Sequence, residues 1–326
     1  MRTITLAILV WLAFVAGCKT TDDTSSGDNG GGGTANRPDT ERAERDDRAT
    51  IPVGEFTEVL VETWNGSIGV IGTPAATEFT VTSTIFAMGP TTGEADQRCK
   101  DIQLIAAADP NTPTRLHVRV EFPGGHPPVT SGARITVAMP QAPKVIVKAN
   151  NSSVRIATTS GDVAVTTNKG EVTVIDVAGS VEIKTTEKSV TCLRIGGNVE
   201  VNTTIGTIQV TEFGGKLKLK NSQGHIEIFH DKPTEPVDIQ AETSGNITSE
   251  LPGTIKAQLI LAAPSGTVEA SSLDDGIPVT DRITSTNNVR CKINGGGEGK
   301  IEYTAHNGTL TYKVKEFTKP VGGGDK

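Results

Sequence analysis

Residues 161–228 read, in consecutive blocks of nine with the last cut short, GDVAVTTNK, GEVTVIDVA, GSVEIKTTE, KSVTCLRIG, GNVEVNTTI, GTIQVTEFG, GKLKLKNSQ and GHIEI. Each block opens on glycine except the fourth, where Lys188 takes the slot. The third and fifth residues of every block are aliphatic or cysteine, as in Val163 and Val165. Because successive side chains of a strand face opposite ways, every block predicts a short strand with one buried pair.

The corners between these strands alternate in character. One class is polar, as in Thr166-Thr167-Asn168, and the other is apolar, including Ile175/Val177, Leu193/Ile195 and Phe213. The repeat is therefore eighteen residues long, with two strands and two corners. We predict one inward column of Val163, Val181, Val199 and Leu217, and a second of Val174, Cys192, Val210 and Ile228. Glycine at each corner is expected to supply a positive φ.

The fold that this repeat predicts is all-β: a right-handed β-solenoid, or single-chain β-helix, over residues 141–317. Looser copies continue it at Gly245, Gly266, Gly299 and Gly308, with insertions near 233–236 and 272–281. Tyr303 and Tyr312 are expected to cap the open end, because an uncapped end exposes strand edges. Residues 51–140 are predicted to form a β-rich N-terminal part with one short helix near 94–104, and residues 318–326 a disordered tail.

The N-terminus carries the features of an exported protein. Arg2 and the apolar run Ile4–Val15 predict a signal peptide over residues 1–17, and the run is shorter than the ~20 residues that span a bilayer. The ending Val15-Ala16-Gly17-Cys18 resembles the lipobox of bacterial lipoproteins. That resemblance implies a lipid anchor on the Cys18 thiol, with cleavage before Cys18, and Lys19 then favours the outer membrane. Residues 18–50 are expected to be a flexible, low-complexity tether.

The repeat units also resemble a bacterial domain family of unknown function that is called putative adhesin. The resemblance rests on S-G-D-V-like units at Ser160–Val163, Ser244–Ile247 and Ser265–Val268, and on the Asn-Gly-Ser-Ile turn at 65–68. It covers roughly residues 51–317 and implies a β-repeat fold more than any activity.

Composition and motifs narrow the function classes. The net charge of -7 and the pI of about 5.4 argue against a nucleic-acid partner. Nucleotide-binding, hydrolase and zinc-protease motifs are absent from the sequence, and the glycine repeat lacks the pattern of calcium-binding β-rolls. We therefore expect no cofactor, no metal and no catalytic residues, and a non-enzymatic binding or adhesion scaffold of the cell envelope. Its partners would be the membrane, through the lipid on Cys18, and a protein or glycan on the solenoid face.

Several constellations leave alternatives open. Glu182 and Glu200 are expected to stack one coil apart, as a carbohydrate-active β-helix would require. An envelope sensor or regulatory module is a further alternative. His225 and Glu227, near His230 and Asp231 in the sequence, would make only an incomplete metal site. A disulfide between Cys99 and Cys291 is a separate question that their spacing leaves undecided. A small basic strip, finally, is formed by Lys216, Lys218 and Lys220.

Overall fold

The computed structural model describes residues 19–20, 39–123, 130–231, 236–274 and 277–315. Within them the regular backbone is almost all β-strand, with one α-helix, α1 (Thr92–Asp101), and a 3-10 turn at Ser271–Asp274. The strands are β1 (Lys19–Thr20), β2 (Glu41–Pro52), β3 (Glu58–Thr73), β4 (Glu78–Gly89), β5 (Gln103–Asp109), β6 (Thr112–Glu121), β7 (Gly132–Pro140), β8 (Lys144–Thr159), β9 (Val163–Thr167), β10 (Val172–Val177), β11 (Val181–Thr185), β12 (Val190–Ile195), β13 (Val199–Phe213), β14 (Leu217–Phe229), β15 (Asp238–Thr243), β16 (Ile247–Pro252), β17 (Ala257–Ala262), β18 (Thr267–Glu269), β19 (Val279–Ser285), β20 (Asn288–Ile293), β21 (Gly299–Ala305) and β22 (Thr309–Lys315). The all-β prediction is confirmed, and no helix in these ranges is long and apolar enough to cross a bilayer.

Parallel strands stack in two columns through the centre of the molecule. Face 1 contains β9, β11 and the first halves of β13 and β14, whereas face 2 contains β10, β12 and the second halves of β13 and β14. On face 1 the in-register residues are Val163, Val181, Val199 and Leu217. On face 2 they are Val174, Cys192, Val210 and Ile228. Both predicted columns, and the eighteen-residue coil that produces them, are therefore confirmed.

The inward side chains of these columns form the core. Val174, Cys192 and Val210 are fully buried, and the face 1 valines opposite them are at most 2% exposed. Burial of one such valine contributes about 1.5–3 kcal/mol before the entropy of ordering is subtracted. The aliphatic ladders therefore supply the main stabilising term of the solenoid-like body.

The corner glycines have a different role from the one expected. Gly170 and Gly179 do not have positive φ. A Cβ on Gly170 would lie 1.7 Å from the carbonyl oxygen of Ser152, and one on Gly179 would lie 2.6 Å from that of Gly161. Both acceptors belong to the neighbouring coil. Glycine recurs at these two slots because successive corners approach each other too closely for a side chain.

Positive φ occurs mainly at other residues of the corners. Three slots do match the expectation, with φ of 86°, 128° and 147° at Lys188, Gly206 and Gly224. The apolar corners instead place a non-glycine residue in the left-handed region, three positions before the glycine slot, at Thr158, Asp176, Arg194 and Glu212. Sequence reasoning missed them because threonine, arginine and glutamate have no preference for the left-handed region, and aspartate has only a mild one.

Three of the polar corners each turn one hydroxyl inward. Thr167, Thr185 and Thr203 are buried and lie in one column at the eighteen-residue spacing. Their hydroxyls donate to corner carbonyls of Asn150, Glu187 and Ile205 over 3.2, 3.1 and 3.3 Å respectively. Because a buried carbonyl without a partner is costly, this column of threonines stabilises the corner backbone.

Each end of the stack contains a coil that is out of chain order. β3 pairs in parallel with β8 on one side and with β6 and β7 on the other. At the opposite end β21 lies between β15 and β17, and β22 lies between β16 and β18. Tyr303 and Tyr312 belong to this inserted coil and are at most 2% exposed. The expectation that they cap the open end is therefore wrong, since β17 to β20 lie beyond them.

The ordered body begins earlier than expected. The tether predicted for residues 18–50 is wrong at both described ends, because β1 pairs with β2 and β2 pairs along its length with β4, each in antiparallel register. Ala43 and Ala49 face the core, and between them Arg45 and Asp47 form a buried ion pair of 2.7 Å. Inward and outward residues do alternate along β2, but two of the inward residues are charged, so the pattern of apolar residues is interrupted.

The predicted boundary at residue 140 does not divide the sheet. β3 pairs with β8 from Glu58–Lys144 through Ile71–Ala157, so the two predicted parts form one continuous structure. The short helix is present as α1 and ends before Leu104. The guanidinium of Arg45 donates to the carbonyls of Cys99 and Ile102 over 3.0 and 2.7 Å, which fixes the end of this helix against β2. The tail at 318–326 lies outside the described residues.

Candidate binding faces

The outer surface of face 1 is charged and paired with itself. Outward positions on its strands carry exposed Glu182, Lys184, Glu200, Lys218 and Lys220. Each of these side chains has an ionic partner within 4 Å in its own or a neighbouring coil. Exposed pairs of this kind contribute about 0–1 kcal/mol each, so their main effect is to neutralise the surface locally.

The predicted carboxylate stack has the expected register. Glu182 and Glu200 are directly opposite each other in neighbouring parallel strands. Glu182 accepts from Lys184 over 2.5 Å, and Glu200 from Lys218 over 2.9 Å. The hydrogen bond from Lys184 lowers the pKa of the Glu182 carboxyl. A general acid for glycoside hydrolysis requires a raised pKa, so this environment favours a permanently ionised Glu182.

The predicted basic strip is neutralised in the same way. Lys216 lies 3.0 Å from Asp238, and Lys220 lies 3.8 Å from Glu242. Lys218 is occupied by Glu200. The three lysines therefore offer no free positive patch to an anionic polymer.

A shallow groove of about 230 Å³ crosses face 1 at the small side chain of Ala164. Its walls include Lys144, Asp162, Glu182 and Glu200. Part of this polarity is used inside the fold, because Asp162 accepts from the backbone N–H of Ser180 over 2.8 Å. The groove is open and polar, and it is smaller than the ~300 Å³ at which small-molecule sites usually begin.

Face 2 has a different outer surface. The outward positions of β10, β12 and the second half of β13 carry Thr173 and Ile175, Thr191 and Leu193, and Gln209 and Thr211. All six are partly exposed and none is charged. Ile175 and Leu193 were expected among the apolar corners, together with Val177 and Ile195. The structure separates them, because alternation along the strand turns Val177 and Ile195 inward and leaves Ile175 and Leu193 outside.

The family follows from the sequence of this repeat body. The model of the Toastrack DUF4097 family matches residues 125–312, which is more than half of the chain. The chain belongs to this family. The family resemblance expected from the S-G-D-V-like units is thereby confirmed, and the Toastrack domain accounts for the solenoid-like part of the fold.

Solved structures similar to this Toastrack protein come from Clostridium and Parabacteroides species. A "putative cell adhesion protein" of Clostridium sporogenes is 11% identical, with 83% of this chain and 100% of that chain covered, at a TM-score of 0.29. A "putative adhesin" of Parabacteroides merdae is 12% identical over 83% and 96% of the two chains, at 0.28. A "putative lipid binding protein" of Parabacteroides distasonis is 12% identical over 83% and 97%, at 0.24. A comparison with curated proteins gives no match.

The histidines of the Toastrack body do not converge on a metal site. His225 is exposed, whereas His230 is buried against Phe213 and its Nε2 lies 2.7 Å from the Phe213 carbonyl oxygen. Burial lowers the pKa of the His230 imidazole. No group of three or more His, Cys, Asp or Glu in the described residues could hold a metal ion. The incomplete site considered from the sequence is therefore not assembled here.

The three described cysteines of the Toastrack protein are all buried free thiols. Cys99 lies on α1 beside β4, and Cys291 lies on β20 at the opposite end of the stack, so the disulfide left open by spacing is not formed. Cys192 occupies its predicted core position, where burial raises the pKa of its thiol to about 12. Cys18 and the signal peptide at 1–17 lie outside the described residues.

Proposed function

We propose that this Toastrack protein is a non-enzymatic binding or adhesion scaffold of the bacterial cell envelope. A lipid on Cys18 would anchor it, in the outer membrane by the implication of Lys19, and a tether shorter than first expected would lead to β2. The body would be a right-handed β-solenoid that presents an outer face to a protein or glycan partner.

One observation carries this proposal: the body has two outer faces whose side chains are held at regular spacing by a fully buried core. Parallel strands lie about 4.8 Å apart, so equivalent side chains recur at that interval along the stack. Backbone pairing and the aliphatic columns fix these positions before any ligand arrives. A preorganised surface of this kind suits recognition, because less entropy is lost on binding.

The carbohydrate-active alternative gains no support from the stacked carboxylates. Both carboxylates pair with lysines, and the pKa of Glu182 shifts in the direction that disfavours proton donation. An assay of glycan cleavage by the wild-type chain and by Glu182→Gln and Glu200→Gln addresses this point directly. Cleavage that disappears in these variants, while the far-UV spectrum is unchanged, would contradict the scaffold proposal.

The anchor is tested separately from the binding role. We expect labelled palmitate to enter the wild-type chain and not Cys18→Ser, with Lys19→Ala as a neighbouring control that keeps the label. Label retained by Cys18→Ser would refute the anchor.

The binding role is tested with the secreted, unlipidated Cys18→Ser chain. When this chain is immobilised, we expect it to capture one component of an envelope fraction in a saturable manner. Binding that rises linearly with the amount of extract would refute a specific scaffold.

A further inference from the structure

The two outer faces of the stack differ in charge, and the difference lies within the same coils. Face 1 carries a charged residue at most outward positions of its central strands, including Glu182, Lys184 and Glu200. Across the core, six outward positions on β10, β12 and the second half of β13 are uncharged, and the exposed charges of these strands, Asp176, Arg194 and Glu212, follow them at the corner. Solvated β-surfaces usually carry charges, so an uncharged patch on an otherwise charged rod marks a surface with a separate role.

The uncharged patch consists of two parallel columns. A hydroxyl and amide column runs through Thr173, Thr191 and Gln209, which are in register in neighbouring strands. Beside it an aliphatic ridge runs through Ile71, Ala157, Ile175 and Leu193, and the same column continues through Thr211 to Phe229. Both columns advance by about 4.8 Å per coil along the axis of the stack.

The polar column has unused hydrogen-bonding capacity. Within the described ranges, no group bonds the hydroxyls of Thr173 and Thr191. The amide of Gln209 donates to Glu227 over 3.1 Å, which leaves its carbonyl oxygen facing outward. A threonine hydroxyl can both donate and accept, so this column can bond a ligand that carries hydroxyl groups of either polarity.

The size of the patch decides between classes of occupant. Arg155 on β8 and Glu227 on β14 bound the polar column, a distance of four strand spacings or about 19 Å. The uncharged outward positions span three residues of each strand, from Thr173 to Ile175 on β10, or about 10 Å, which gives an area of about 200 Å². A stable protein interface buries about 800 Å² on each partner, so a second copy of this chain or another folded protein is poorly matched.

We propose that this face 2 patch binds a linear, uncharged glycan lying along the axis of the stack. Sugar rings present C–H faces to the aliphatic ridge and hydroxyl edges to the Thr173–Thr191–Gln209 column. The six uncharged positions offer no cation to an acidic polysaccharide, whose carboxylates would lose their hydration there, and Arg194 beside them is already paired with Asp176. This inference rests on the proposed binding role and names the face and the chemical class of the partner.

The test is affinity electrophoresis of the full chain in native gels. The probes are dextran, mannan and laminarin as uncharged polysaccharides, with alginate as the acidic comparison. The chain is kept in a detergent without a sugar headgroup, because such headgroups would compete for the patch. We expect at least one uncharged polysaccharide to retard the wild-type chain, and alginate to leave its mobility unchanged.

Two variants of equal charge locate the site. Thr191→Glu places a carboxylate in the patch, whereas Asn202→Glu places one at an exposed outward position of face 1. Each mobility is normalised to a gel without polysaccharide. We expect the apparent dissociation constant to rise at least tenfold in Thr191→Glu and less than twofold in Asn202→Glu. Thr191→Val, which removes the hydroxyl and keeps the shape, should weaken binding by several fold.

The outcomes separate this inference from the broader one. No retardation by any uncharged polysaccharide, or equal weakening by Thr191→Glu and Asn202→Glu, overturns the glycan site. Saturable capture of an envelope protein that Thr191→Glu abolishes also overturns it and leaves the scaffold role intact. Absence of both glycan retardation and saturable capture refutes the two together.

Discussion

Replacement of Gly170 by alanine tests whether close approach between coils requires the corner glycines. The new Cβ would lie 1.7 Å from the carbonyl oxygen of Ser152 and 2.4 Å from its carbonyl carbon. A carbon and a carbonyl oxygen approach each other to about 3.3 Å at best, so the corner must open by more than an ångström. The obstacle is backbone, and a change of rotamer cannot remove it.

The cost follows from the hydrogen bonds beside this corner. Val154 N–H donates to the Glu171 carbonyl over 2.8 Å, and Val172 N–H donates to that of Ser189 over 3.0 Å. Each buried group left without a partner costs about 1–3 kcal/mol, so we expect the free energy of unfolding to fall by about 2–5 kcal/mol. At about 2–4 °C per kcal/mol for a body of this size, the melting temperature should fall by roughly 4–20 °C.

The assay is thermal unfolding followed by far-UV circular dichroism, with Gly93→Ala as the matched control. Gly93 lies in α1, and nothing is within 4 Å of the position of its Cβ. Alanine is favoured over glycine in a helix by about 1 kcal/mol, so this control should hold or raise the melting temperature. If Gly170→Ala melts within a degree of the wild type, the close-approach explanation is refuted.

Three further predictions concern single side chains. Arg45→Ala removes the buried partner of Asp47 and the donor to the end of α1, so chemical denaturation should show a free energy of unfolding lower by about 3–5 kcal/mol. The control Arg48→Ala, at an exposed position of the same strand, should change it by less than about 0.5 kcal/mol, and equal effects of the two variants would contradict the role of Arg45. The hydrogen bond from His117 lowers the pKa of the Glu62 carboxyl below its ordinary 4.5. The stability that ionised Glu62 contributes is therefore present above pH 4.5 and declines as the pH falls through the lowered pKa. Glu62→Gln should flatten the acid limb of a curve of unfolding free energy against pH. Cys192 should resist iodoacetamide at pH 8 in the folded chain and react in denaturant, as peptide mass spectrometry would show; rapid labelling without denaturant would place it outside the core.

The repeat body could be predicted from the sequence because its signal is local and repeated. Each x-φ-x-φ block identifies its own inward residues, and the eighteen-residue spacing then sets which blocks lie in register. The pairing of Val163 with Val181 and of Val174 with Cys192 follows from these two facts. The charged outer surface of face 1 was equally readable, since Glu182, Glu200 and Lys218 occupy outward positions of their strands, whereas Ile175 and Leu193 of face 2 were assigned to corners.

The remaining features depend on contacts that leave no local pattern. The sequence did not predict β2, because Arg45 and Asp47 form an ion pair with each other on the inward side of the strand. Two charged residues at inward positions give the segment the composition of a solvent-exposed one. The insertion of β3 below β8 depends on pairing over a separation of 86 residues, as in the hydrogen bond from Asn151 to Asn65. The role of the glycines was misjudged because crowding between neighbouring coils is invisible along a single strand.

The coils that are out of chain order also determine when during synthesis their strands can pair. β3 leaves the ribosome before β6, β7 and β8, yet it needs all three as neighbours. Its edge toward β6 and β7 stays open until residue 140 has been synthesised and its edge toward β8 until residue 159, and a similar delay applies at the other end, where β16 and β18 pair with β22. Because contacts between distant segments form slowly, a chain truncated after β5 should aggregate, while the complete chain closes both ends with its own later segments.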